Sequence, residues 1–222
     1  RTKRFQTPKG IFFKCKFIPI VSPNKGTKIF KEIFLHDEYF LRKIRKEFIE
    51  TIVDVGANVG FFSITAKTYF PTAKIHAYEP SKVNFDFLKK NGLNFNFKTY
   101  LNAVGKINCL GQILDLGDAG CLSTFKQDSS GESSMLALSS VINQVGGKVD
   151  LLKMDCEGWE YALLSCSEEM RRIKFITMEY HDKTLEEVSQ ILSDLNFEIV
   201  NFFEYPFSTG IILAKNLSFD SQ

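Results

Sequence analysis

The chain has no Cys-x-x-C pair, only three histidines and one tryptophan in 222 residues. It also lacks any run approaching the roughly 18 apolar residues that a membrane-spanning helix requires, so such a helix is excluded. Its five cysteines (Cys15, Cys109, Cys121, Cys156 and Cys166) are odd in number and scattered. That spacing argues against a zinc ribbon or a secreted disulfide framework and for a reducing, cytoplasmic setting. Disorder is excluded as well, because 44% hydrophobic and 24% charged residues are ordinary globular values. A chain of this length forms one domain with room for a small appendage, and it needs no crosslinks to hold a core. It begins with Arg1 rather than Met, so a preceding segment is expected.

What is abundant is Phe, at 22, and positive charge near the start. Residues 1–50 carry 13 Lys and Arg against 5 Asp and Glu, a net +8, while the other 172 carry 15 against 21, a net −6. Such an arm either meets an anionic partner or is the solvated face of a segment packed on an acidic domain. The interleaving of its basic and apolar residues favours the second.

From Thr51 onward short apolar runs alternate with amphipathic segments, the pattern of an α/β domain on a mostly parallel sheet. Strands are expected at 51–55, 74–78, about 97–104, 149–154 and 173–180, with helices at 61–70, from Ser81 to Asn91-Gly92, at 139–145 and at 157–165. Thr184 and Glu187 form a capping box ahead of a further helix. The runs 197–203 and 209–214 read as an antiparallel hairpin around Pro206. The sum is a doubly wound sheet of seven strands. The polar tip 128–134 reads as a mobile loop bordering the acceptor site. Ahead of this domain (51–222) stands a basic, amphipathic extension (1–50), with a strand over 12–20 and a helical face from Ile29 to Phe48.

In open α/β sheets ligands sit beyond the carboxyl ends of the strands. The segment there is Asp54-Val-Gly56-Ala-Asn58-Val-Gly60, whose glycines allow a tight turn and a ligand close to the backbone. It fails the dinucleotide pattern, because Asn58 stands where a glycine is needed, and no G-K-[ST] follows to make a P-loop. Glu79 ends the next strand, placed to accept hydrogen bonds from both hydroxyls of a ribose. A glycine turn without a pyrophosphate fingerprint, followed by a ribose-binding acid, suits S-adenosylmethionine. Asp54 then meets its ammonium group directly or through water.

These residues, with Ala77-Tyr-Glu79-Pro80, resemble the class I S-adenosylmethionine-dependent methyltransferases. Leu152-Lys153-Met-Asp155-Cys-Glu157-Gly158-Trp-Glu160 resembles the K-[IM]-D-x-E-G-x-E signature of the FkbM family. The resemblance implies a Rossmann-like fold and transfer of a methyl group to a hydroxyl of a sugar, glycolipid or natural-product-like small molecule. Cofactor contacts are expected from Asp54, Gly56, Asn58, Gly60, Glu79, Pro80, Asn102 and Asp155. The chemistry is expected from Asp155, Glu157 and His181, at the ends of strands four and five, without a metal. Lys153 reads as a buried lysine or the partner of a nearby carboxylate. An RNA-modifying methyltransferase that uses the basic arm is the rival reading, and a cofactor-binding module without catalysis is a second. Residues 1–50 serve as a lid or as the arm of a homodimer.

Overall fold

The computed structural model describes residues 10–13, 16–20, 22, 27–115, 123–156, 158–206 and 208–219. An antiparallel hairpin of β1 (Gly10–Phe13) and β2 (Lys16–Pro19) replaces the single strand expected over 12–20. Helical turn α1 (Thr27–Phe30) runs into one π-helical turn over Lys31–Leu35, and there the helix stops, well short of Phe48. The reason is local: Asp37 and Phe40 take left-handed backbone, with φ of 59° and 58°, which no right-handed helix accommodates. Phe30, Ile33, Tyr39, Leu41, Ile44 and Ile49 are nevertheless buried. The apolar spacing reported burial at Phe30, Ile33, Leu41 and Ile44 but not at Phe48, which is 74% exposed, and it reported helicity wrongly.

From Thr51 the chain runs β3 (Thr51–Val55), α2 (Phe61–Tyr69), β4 (Lys74–Tyr78), α3 (Lys82–Phe95) and β5 (Lys98–Tyr100). Helix α3 continues through Asn91-Gly92, where an end was expected. Asn91 is buried and its Nδ2 donates to the Val59 carbonyl at 2.7 Å, bolting the helix to the turn after β3. Gly92 lies so close to the Phe97 carbonyl and Thr99 that a Cβ there would meet them below 3 Å.

The third expected strand is in fact two, because β6 (Ala103–Gly105) leaves the main sheet for a second one. There it pairs with β9 (Ser133–Ala137), which follows β7 (Cys109–Asp115) and β8 (Ser123–Gln127), in the order β6-β9-β7-β8. Residues 109–137 thus carry strands on both sides of the polar tip. The tip itself is a turn held by Asp128, which accepts the N–H of Ser130 at its side chain and that of Gly131 at its carbonyl, both at 2.9 Å.

Then come α4 (Leu138–Gln144), β10 (Val149–Met154), α5 (Glu160–Leu164), α6 (Ser167–Met170), β11 (Ile173–Tyr180), α7 (Leu185–Asp194), β12 (Phe197–Tyr205) and β13 (Thr209–Asn216). The capping box of Thr184 and Glu187 opens α7 as expected. The seven-stranded sheet has the order β12-β13-β11-β10-β3-β4-β5, with β13 antiparallel to its neighbours. Register between β12 and β13 shifts between Ile199 and Asn201, leaving Val200 as a bulge on the edge strand.

Alternate strand residues feed two cores. Ile52 and Leu151 face α2 and the segment 29–49, while Val53 and Leu152 face α4, α5 and α7. The aromatic excess is used partly here. Phe30 meets Phe61 edge-on at 5.4 Å and Tyr39 meets Phe62 edge-on at 5.3 Å, docking the N-terminal segment on the start of α2. Among the described residues no helix is long and apolar enough to cross a membrane.

Candidate active site

The chain moves outward from β3 to β5 and then returns to β10 on the other side of β3, so the crevice lies between the ends of β3 and β10. At that point the turn after β3 holds three residues in left-handed backbone: Gly56 (φ 71°), Asn58 (φ 51°) and Gly60 (φ 92°). Asn58 therefore supplies the conformation for which a glycine was expected, and its Oδ1 accepts the Val59 N–H at 2.8 Å. The glycines are explained differently from the sequence reading. A Cβ on Gly56 would lie 1.8 Å from the Asp155 carbonyl oxygen, and one on Gly60 would lie 2.8 Å from Leu88. The fold's own close packing, rather than an approaching ligand, excludes side chains there.

Glu79 is buried with both oxygens engaged. Oε2 accepts the Asn58 N–H at 2.7 Å and Oε1 the Ser81 N–H at 2.9 Å. Burial pushes its carboxyl up to about 7, against the pull of those N–H groups, Lys153 and Asn84.

Lys153 and Asp54 form a buried pair beneath the turn. Lys153 Nζ donates to the Gly56 carbonyl at 2.7 Å and lies 3.3 Å from Asp54 Oδ1 and 3.5 Å from Asp155 Oδ2. Ser63 donates to Asp54 Oδ2 at 2.7 Å. Burial opposes the lysine's charge, but the carboxylates of Asp155 and Asp54 outweigh it and hold the ammonium above its ordinary value.

Two clefts meet here, sharing Gly56, Asn58 and Asp155 in their walls. The first has apolar walls from Val104, Phe125, Met135 and Trp159, with Glu79 at its polar edge. Pro80 and Asn102 also line it, Asn102 held by its hydrogen bond to Ser134 Oγ. Flat apolar walls beside a buried carboxylate fit a nucleoside, the base between the walls and the ribose hydroxyls on the acid. The second cleft is lined by the carboxylates of Glu32, Glu38, Asp155 and Glu179, with Lys153 as the cation and Phe61 and Tyr205 among its aromatic walls.

The structure therefore brings Gly56, Asn58, Glu79, Pro80, Asn102 and Asp155 together at one cleft. Asp54 lies behind it, fully buried, and Gly60 faces Leu88 and Phe97. Glu157 lies outside the described residues. His181 is in the wall of neither cleft. Its ring nitrogens stand 3.8 Å from Glu160 Oε1 and 3.8 Å from Glu179 Oε1. Glu160 accepts the N–H groups of Cys156 and Gly158 at 2.8 and 2.9 Å, fixing the turn after β10, so α5 begins only at residue 160. Among the described residues no three His, Cys, Asp or Glu side chains are grouped to hold a metal ion.

Sequence reasoning missed Glu38 and Tyr39, which fall inside the stretch from Ile29 to Phe48 expected to be helical but are not among its face residues. The polar run Asp37-Glu38, which interrupts the apolar spacing, was the available signal. Trp159, inside the stretch 157–165 expected to be helical, precedes α5 and stands in the wall of the first cleft.

Comparison with known proteins decides the family. The methyltransferase FkbM domain matches residues 54–199. The chain belongs to the FkbM methyltransferase family. It is 25% identical to 31-O-demethyl-FK506 methyltransferase FkbM of Streptomyces tacrolimicus, over 81% of this chain and 85% of that protein. A 71-residue stretch, 32% of this chain and 27% of the relative, is 43% identical to methyltransferase sdnD of Sordaria araneosa. The fold is similar to the crystal structure of magnesium protoporphyrin IX methyltransferase from Synechocystis PCC 6803 with bound S-adenosylmethionine, with a TM-score of 0.54 and 13% identity over 88% of this chain and 86% of that one. This FkbM-family chain is an S-adenosylmethionine-dependent methyltransferase with a Rossmann-like fold.

Proposed function

We propose that the enzyme methylates a hydroxyl of a small sugar, glycolipid or natural-product-like acceptor held in the second cleft, with Asp155 as the base. The observation that carries this reading is the wall the two clefts share at Asp155. When bound, S-adenosylmethionine supplies an electrophilic methyl group. The chain's own residues then have three tasks. Glu79 and the apolar walls hold the nucleoside, Asp155 takes the acceptor's hydroxyl proton as its oxygen bonds to the methyl carbon, and the cleft orients the two reactants in line. The methyl carbon would pass from the bound cofactor to the acceptor oxygen, the bond's electron pair staying on sulfur as a neutral thioether. His181 acts behind Glu179 and Glu160 rather than on the acceptor.

The carboxylates of the second cleft weigh against an acceptor rich in phosphate, such as RNA. Incubating the protein with methyl-labelled S-adenosylmethionine and a panel of sugars and polyhydroxylated natural products tests the proposal. A labelled methyl ether is expected; label on nitrogen or on RNA instead overturns it.

Glu79 gives the cofactor site a pH dependence. Its folded value, near 7, lies above the ordinary 4.5, so the folded protein keeps a proton that the unfolded chain has released between those values. Stability is therefore lost as pH rises through that window. Cofactor binding has the opposite sign, since the ionised carboxylate is the better acceptor for ribose hydroxyls. Affinity measured by calorimetry is expected to rise several-fold from pH 6 to pH 8, and Glu79→Gln should flatten the slope. Glu79→Ala should weaken binding by about 1–3 kcal/mol.

A further inference from the structure

Tyr39 precedes the residues matched by the FkbM domain, yet its hydroxyl donates to Asp155 Oδ2 at 2.8 Å, across 116 positions of sequence. Its ring is nearly enclosed. Phe62 meets it edge-on, Lys153 Nζ stands 5.5 Å from its centroid, and Thr177 Oγ1 donates to its carbonyl at 3.1 Å. The backbone around it is costly to make. Asp37 and Phe40, two and one residues away, both adopt left-handed φ, which is rare for a side chain as bulky as Phe. Strain of this kind persists where surrounding packing fixes a particular side-chain placement, and here the placement is that of the phenol.

Among the described residues, the contacts of Tyr39 and Lys153 with the Asp155 carboxylate both fall on Oδ2. Oδ1 is the oxygen they leave for the clefts. The phenol is a constant donor, because burial first, and then the carboxylates of Asp155, Glu179 and Glu38, push its ionisation well above the ordinary value.

We infer that Tyr39 is a positioning residue that, with Lys153, fixes the Asp155 carboxylate so that Oδ1 faces the wall shared by the clefts and favours a sulfonium there over a neutral thioether. This rests on the reading that the methyl donor's reactive end lies at that wall. A carboxylate locked in this way discriminates the charged methyl donor from the uncharged product left after transfer. A rotating carboxylate spends part of its time elsewhere and discriminates less.

The test needs no acceptor. Trp159 is the chain's one tryptophan and lines the first cleft, so its fluorescence can report binding of S-adenosylmethionine and of S-adenosylhomocysteine. The ratio of the two affinities is measured for wild type, Tyr39→Phe, Asp155→Asn and the double variant. Tyr39→Phe keeps the ring and its packing. It is expected to reduce the preference for the sulfonium several-fold, Asp155→Asn to reduce it at least as far, and the double variant to match Asp155→Asn alone. Purely structural damage would weaken both ligands together and leave the ratio unchanged. A wild-type ratio in Tyr39→Phe, or a further drop in the double variant beyond Asp155→Asn, overturns the proposal. A wild-type ratio in Asp155→Asn removes the methyl donor from that wall, and the underlying reading fails with it. Should Tyr39→Phe not fold, p-aminophenylalanine incorporated at position 39 keeps the ring and a donor at the reach of the phenol. It is expected to hold the ratio near wild type, and a ratio as low as that of Asp155→Asn overturns the proposal.

Discussion

Asp155→Asn is expected to lower turnover on a genuine acceptor by about 10²–10⁴-fold, the scale of a lost general base. Asparagine has the shape of aspartate and still offers Tyr39 an oxygen, so the junction of the clefts should keep its form. What it cannot do is take the hydroxyl proton. Initial rates of methyl-ether formation at saturating cofactor are the measurement, with thermal unfolding as a control on the fold. An unchanged rate would move the base to another carboxylate of the same cleft, Glu38 or Glu179. Burial pushes the Glu38 carboxyl above its ordinary value, against its hydrogen bond from Tyr205.

Lys153→Met should destabilise the protein by about 3–5 kcal/mol, because it strands one member of a buried ion pair. The lysine is 3% exposed and Asp54 is 0% exposed. Without Nζ, Asp54 keeps only the Ser63 hydroxyl, and the carbonyls of Val55 and Gly56 lose their shared donor. Each kcal/mol is worth about 2–4 °C in a chain of this size, so the midpoint of thermal unfolding should fall visibly. The deficit also has a sign with pH. Burial pushes the Asp54 carboxyl above its ordinary 3.8, and removing the lysine removes the main opposing charge. The variant's folded state therefore holds a proton that its unfolded state gives up, and its stability falls further as pH rises. Asp54→Asn in the Lys153→Met background should recover a substantial part of the loss, since a neutral amide can still accept from Ser63. A single variant within about 1 kcal/mol of wild type would mean that water or a rotated side chain replaces the ammonium.

The central strands are legible in the sequence because they are buried on both faces. Thr51–Val55, Val149–Met154 and Ile173–Tyr180 are apolar runs that no amphipathic helix would carry. Helix α7 announces itself through the reciprocal cap of Thr184 and Glu187. The second sheet is not legible, since Ser133–Ala137 and Ser123–Gln127 are short, polar and without clear alternation. Their partners are supplied by distant segments rather than by pattern. At the site, Glu79 and Asp155 could be read from their places at strand ends. Asn58 looked like a defect in a glycine motif, because sequence spacing does not reveal that asparagine tolerates the left-handed region and does so here. The polar run Asp37-Glu38 marks a break in the helix pattern, but no spacing in the sequence ties Tyr39 to Asp155. Their hydrogen bond follows from two left-handed residues folding a would-be helix back over the end of β10.

The bulge at Val200 matters to how this protein behaves at high concentration. Strand β12 is nine residues long, lies at the rim of the sheet and exposes Val200, Phe202 and Phe203. That is the profile of a surface that seeds aggregates by recruiting the same edge of another molecule. Two features oppose it. The bulge kinks and twists the edge out of register with a flat partner. Antiparallel pairing of two such edges about Asn201 would also set Glu198 against Glu204, like charge against like, on both sides of the aromatic pair. The glutamates thus act as gatekeepers for an apolar rim that would otherwise be sticky.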